Sequence, residues 1–165
     1  MKNSATPIVR KATISDIDSL VELRKFLLSE GIGHYVSKTP EEEAAWQESY
    51  RKWLHMHINT NEKVRVAVAN EHNSSNILAC AIGIIDERAP MRGCLNGKVG
   101  WIQTVVVHPE HRRRGIAELV MQYILNWFEI NKVGKVTLQT TPMARRLYEK
   151  IGFIDSGEQL LLKEL

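Results

Sequence analysis

The sequence predicts a single α/β domain over residues 1–165, with a mixed, mostly antiparallel central sheet flanked by helices. Runs of β-branched residues alternate with runs of helical periodicity in the order β-α-α-β-β-β-α-β-α-β-β. Val64 to Ala69 and Ile77 to Ile85 are joined by the polar stretch NEHNSSN, which makes them a hairpin. Val99 to Ala117, VGWIQTVVVHPEHRRRGIA, passes from strand to turn to helix and supplies one crossover.

Ile8 to Ala12 reads as the first strand, and Thr13 to Asp16 as the turn out of it. Ser15 is placed to cap the first helix, with Asp18 completing a partial capping box. Ile17, Leu20, Val21, Leu27 and Leu28 share one helical face, and Gly31 and Gly33 end the helix. His34 and Tyr35 follow in a loop, where they either touch substrate or anchor the loop. Thr39-Pro40-Glu41-Glu42 is a second helix start: an N-cap, proline at the first helical position, then acids. Trp46, Tyr50, Trp53, Leu54, His57 and Ile58 form its apolar stripe, with His55 out of phase. The strand Ile77 to Ile85 is apolar nearly throughout, which implies cover on both faces. Asp86 to Lys98 is a loop with the turn pair Asn96-Gly97. Trp101 to Val107 is the next strand, stopped by His108 and Pro109. Ile116, Leu119, Val120, Tyr123, Ile124 and Trp127 share a face of the third helix, and Gly134 follows its end. Lys135 to Gln139 is a strand, and Pro142 starts a last helix that Gly152 stops. Phe153 to Ser156 and Gln159 to Leu165 read as a terminal strand pair around Gly157.

A chain of 165 residues buries a real core. The net charge of +3 is too mild to imply a nucleic-acid or membrane partner. No apolar run is long enough to span a bilayer, and the start MKNSATP has no apolar signal segment. The two cysteines, Cys80 in an apolar strand and Cys94 in a polar loop, fit a reducing, cytoplasmic setting better than a disulfide framework.

The chemistry concentrates where the strand ends. A strand, a turn holding Gly115 and a helix N-terminus make an anion cradle, because main-chain N–H groups and the helix dipole converge there. Glycine leaves room for a phosphate to approach the backbone. The spacing is not that of a P-loop or a Rossmann turn. Arg112-x-x-Gly115-x-Ala117 resembles the Q/R-x-x-G-x-G/A signature of the GCN5-related N-acetyltransferase (GNAT) superfamily. RLYEKIGF, Arg146 to Phe153, resembles the same family's closing motif, and with the opening VRKATISDID the likeness spans nearly the whole chain.

That resemblance implies a GNAT-like fold and an N-acetyltransferase that uses acetyl-CoA as co-substrate. The amine of a small molecule or protein attacks the thioester directly in a ternary complex. It implies that the main chain of Val105, Val106 and Val107 holds pantetheine, and that Arg112, Arg113, Arg114, Gly115, Ile116 and Ala117 hold the pyrophosphate. Tyr148 matches the family tyrosine that protonates the leaving thiolate, and Thr141 stands where many members have asparagine. A homodimer through the terminal strands is common in the family. Some members carry a glutamate on the central strand as general base; here that place falls at apolar Trp101, with Gln103 nearby. An alkyl amine is mostly protonated at neutral pH, so its proton must go somewhere. Asp86 and Glu87 either take it or are solvated loop acids. Arg145 and Arg146 either pair with the CoA 3′-phosphate or carry surface charge. His108 and His111 read as turn residues, and no His/Cys spacing points to a metal.

The competing reading is a non-catalytic acyl-CoA-binding regulatory domain that keeps the cradle and lacks an efficient base. Nucleic-acid binding through HRRR is weaker, since no aromatic platform accompanies a basic groove.

Overall fold

One sheet runs through the protein in chain order: β1 (Ile8–Lys11), β2 (Val64–Asn70), β3 (Ile77–Glu87), β4 (Lys98–Val107) and β5 (Lys135–Leu138). The computed structural model describes residues 6–30 and 35–165. Gly31, Gly33 and His34, read above as helix stops and a loop group, lie outside them. β1 to β4 pair antiparallel, and β5 joins β4 in parallel because a helical crossover separates them.

The helices cover both faces. α1 (Ile17–Ser29) and α2 (Pro40–His57) build one core with Val66, Val68, Cys80, Ile82 and Val106. α3 (Ile116–Ile130) and α4 (Arg145–Lys150) build the other with Ala67, Ala79, Ala81, Ile102 and Tyr148. Alternate residues of β2 and β3 therefore feed opposite cores, and β3 reads as a nearly continuous apolar run. Val120, Met121, Ile124 and Phe128 of α3 are buried to within 1% exposure. Each contributes roughly 1.5–3 kcal/mol by leaving water. α3 lies unusually close to the sheet: a Cβ on Gly83 would stand 2.8 Å from Ile124, and one on Gly100 would stand 2.8 Å from the Phe128 ring.

The expected cap of α1 is corrected. A 3-10 turn, Ile14–Asp16, precedes the helix. Asp16 accepts the Thr13 N–H at 2.7 Å, while Ser15 only meets the Thr13 hydroxyl and Asp18 pairs with Arg51. The carboxylate is fixed there by a two-bond grip from Arg10, at 2.8 and 2.9 Å. The start of α2 follows the sequence, with Thr39 Oγ1 accepting from the Glu42 N–H at 3.1 Å. β3 and β4 run further than their apolar residues suggest, since main-chain pairing continues to Glu87 opposite Lys98. Cys94 is 2% exposed despite its polar loop, packed with its sulfur 3.1 Å from the Lys98 carbonyl.

The terminal strand pair does not form. Residues 153–165 carry no strand, and Leu160, Leu161 and Leu162 are exposed. Asp155 and Ser156 side chains accept from the N–H groups of Gly157 and Glu158, which takes donors that a hairpin ladder would use. α4 starts at Arg145 rather than Pro142, because the Thr141 carbonyl accepts from Ala144 and Arg145 in a preceding turn. No helix among the described residues is long and apolar enough to cross a membrane.

Candidate active site

The turn after β4 is an anion cradle in its backbone. Arg113 has φ +63° and Gly115 φ +75°, so the chain curls around a concavity. Among the described residues, no protein group accepts from the main-chain N–H groups of Arg113 through Ala117. Gly115 is the N-cap of α3 and brings no capping side chain, so a 15-residue helix presents its positive end uncovered. A Cβ built on Gly115 meets nothing within 4 Å, which leaves open space above the donors. The Arg112 and Arg114 side chains are engaged elsewhere. Arg112 donates to Glu30 at 2.7 Å and to the Val107 carbonyl at 3.3 Å, and Arg114 contacts His111 at 2.8 Å. The cradle is thus built of amides, with Arg112 and Arg114 bracing the turn.

Next to the cradle the sheet splits. β5 pairs with β4 only as far as Ile102 opposite Leu138, while β4 continues to Val107. From Gln103 onward that edge of β4 has no strand beside it among the described residues. A β-bulge sits at the split: Cys80 pairs with Val106 but Ile82 pairs with Gln103, leaving two residues opposite Ala81. Thr104 takes φ +56° within the bulge and is buried. Its hydroxyl accepts from Arg24 of α1, and its carbonyl lies 3.6 Å from the Cys80 sulfur. Burial pushes the Cys80 thiol up to about 12, so it stays protonated under the bulge.

The split opens into a cavity of about 640 Å³ lined by Gln103, Thr104, Val105, Thr141, Ala144 and Tyr148. Tyr148 is 7% exposed and meets Phe153 edge-on at 6.0 Å. Burial raises its phenol above the ordinary value, so it is a donor at neutral pH. Its hydroxyl has no hydrogen-bond partner among the described residues. A second cavity, of about 710 Å³, adjoins on the α1–α2 side and has aromatic walls, Trp46, Tyr50 and Trp53. Arg24, Leu28, Tyr35 and Gln103 line both cavities and mark where they meet.

The model of the acetyltransferase (GNAT) family matches residues 23–153. The chain belongs to that family. Rice (Oryza sativa subsp. japonica) glucosamine 6-phosphate N-acetyltransferase 1 is 31% identical over 90 residues, covering 54% of this chain and 53% of that protein. The chain spans about half the length of the curated relatives it matches. A predicted acetyltransferase from Clostridium acetobutylicum, solved with acetyl-CoA, superposes with a TM-score of 0.78 at 26% identity, covering 96% of each chain. Glucosamine-6-phosphate N-acetyltransferase from Arabidopsis thaliana shares the fold at a TM-score of 0.67 and 24% identity, over 98% of this chain and 99% of that one.

In this GNAT chain Val105, Thr141 and Tyr148 line one cavity, and Arg112 through Ala117 form the turn at the end of the same strand. Val105 and Val107 lie on the free edge of β4, with side chains toward α3, while the Val106 side chain enters the α1–α2 core. Asp86 and Glu87 do not join them. They pair opposite Val99 and Lys98, about 16 Å down β4 from the bulge at strand rise. Arg88 and Lys63 hold them in ion pairs. Arg145 is engaged by Glu149 and Asp155. His108, Glu110 and His111 come within 4.8 Å of one another on the turn, which their spacing alone did not suggest. The residue that sequence reasoning passed over is Arg24. Its signal was there: in the apolar series Ile17, Leu20, Val21, Leu27, Leu28, the inward position of the middle turn carries an arginine.

Proposed function

We propose that this chain moves the acetyl group of acetyl-CoA to an amine of a small molecule or protein, with both bound at once. The observation that carries the reading is the uncovered run of N–H donors from Arg113 to Ala117 opening beside the free edge of β4. Arg112 through Ala117 and Val105 through Val107 hold the two polar parts of the co-substrate, the pyrophosphate and the pantetheine amides. Acetyl-CoA, when bound, supplies an activated acyl group.

This chain's residues then do the positioning and the proton work. The β4 edge aligns the thioester arm, and a main-chain N–H there meets the charge that builds on the carbonyl oxygen. Tyr148, protonated and without a protein partner, donates to the departing sulfur. Thr141 closes the end of the cavity. The acceptor enters from the α1–α2 side, between the aromatic walls. The curated relatives named for glucosamine 6-phosphate support a small amine over a protein. No carboxylate lines the 640 Å³ cavity among the described residues, so the amine proton passes to solvent.

That same lack of a carboxylate favours the second reading, a domain that binds acyl-CoA without turning it over. Thiol release from acetyl-CoA across an amine library separates the two. Transfer to any amine well above hydrolysis supports the enzyme; binding of acetyl-CoA with no release from any amine supports the regulatory domain.

A further inference from the structure

Among the described residues, Arg24 is the arginine that lines both of the joined cavities. Arg10, Arg51, Arg88, Arg112 and Arg145 each pair with a carboxylate, and Arg114 meets His111 instead. Arg24 pairs with none among the described residues. It is half-buried, spends one N–H on the Thr104 hydroxyl, and lies with its guanidinium carbon 4.7 Å from the centre of the Tyr50 ring. Stacking and one neutral acceptor leave most of a five-donor fork unused. A guanidinium withdrawn from water without a counter-charge is costly, and an anion in its reach recovers the loss through short, charge-assisted bonds.

Its position gives that anion a place. Arg24 stands where the two cavities meet, beside Gln103. The other charged groups lining the 710 Å³ cavity are Lys38, Glu42 and Glu164, and none of them lines the second cavity. Glu42 is turned to its own helix start, accepting the Lys38 N–H at 2.6 Å. The Trp46, Tyr50 and Trp53 rings follow one another at 6.4 and 6.2 Å along α2, which gives the cavity an aromatic wall. The volume suits a molecule the size of a sugar phosphate or an amino acid.

We propose that the acceptor is a small amine carrying a carboxylate or phosphate, which pairs with Arg24 while the rest of the molecule lies against the Trp46–Trp53 wall. This rests on the reading of that cavity as the acceptor side of an acetyltransferase. It adds a choice among amines that neither the cradle nor Tyr148 makes.

The test uses matched pairs that differ in the anion: glucosamine 6-phosphate with glucosamine, and tryptophan with tryptamine. Each is assayed by thiol release, and each is also measured as a thermal shift in the presence of CoA. The expected result is a preference of about tenfold or more for the anionic member of at least one pair, seen mainly in KM. The phosphate and carboxylate arms tell which anion it is. Arg24→Gln collapses that ratio, and Arg24→Lys restores part of it by keeping charge without the fork. Equal or better use of the neutral member in both pairs overturns the proposal. So does a preference that survives in a folded Arg24→Gln protein. The thermal-shift arm reads the preference without turnover. A preference in binding with no thiol release refutes the transfer reading and leaves the anion site standing; transfer without preference does the reverse.

Discussion

Arg24 and Thr104 are 80 residues apart in sequence and meet through one hydrogen bond at the bulge beside the candidate site. The donor comes from the middle of α1 and the acceptor from the only stretch of β4 where two residues face one across the ladder. The helix covering one face of the sheet thus holds the irregularity that frees the other edge of β4.

Thr104→Val tests this link. The shape of the side chain is kept and the acceptor is lost, so Arg24 is left short of a partner. Chemical denaturation is expected to show a loss of about 1 kcal/mol, with Thr104→Ser close to wild type. Equal stability of the valine variant would show that the bond does not hold the bulge.

Asp16 gives the protein an acid-side weakness. Burial works to raise its carboxyl, but the Arg10 fork and the Thr13 N–H outweigh that and hold it below its ordinary value. A depressed folded value adds stability that is full above the unfolded carboxyl pKa, about 3.9, and is lost as pH falls through the folded value. Arg10 is partly exposed, so solvent screens the pair. Asp16→Asn is expected to cost about 1 kcal/mol at pH 7, and less as the pH falls through the acid range. Urea melts at several pH values read both effects; a constant difference between the two proteins down to pH 2 would remove Asp16 from the acid response.

Tyr148→Phe keeps the buried ring against Phe153 and removes only the hydroxyl. Turnover on the best amine is expected to fall on the order of 10²-fold, while acetyl-CoA affinity stays near wild type. Wild-type turnover would assign the thiolate's proton to water; a collapse of affinity would make Tyr148 a binding group.

Much of this was readable from sequence because local chemistry and tertiary structure agree there. The Thr39-Pro40 helix start, the two-sided β3 and the strand–Gly115–helix passage each follow from residues close in the chain. The misses are places where distant groups decide. Ser15 lost the cap because Arg10 pins Asp16 from a neighbouring strand. Cys94 is buried because Gly134 and Lys98 close over it. Asp86 and Glu87 are near the site in sequence order yet at the far end of the hairpin. The bulge at Thr104 has no local mark, since a threonine in a strand-forming run gives no hint of φ +56°.

The most direct test of the central claim is calorimetric titration of acetyl-CoA into the wild-type protein and Gly115→Asp. In the variant a carboxylate occupies the open space above the Arg113–Ala117 donors. The account predicts one-to-one binding to the wild type and loss of binding by a variant that still shows a cooperative melt; some lowering of its melting point is expected, because Gly115 has φ +75°. Undiminished affinity in the folded variant would contradict the account and put the acetyl-CoA site elsewhere.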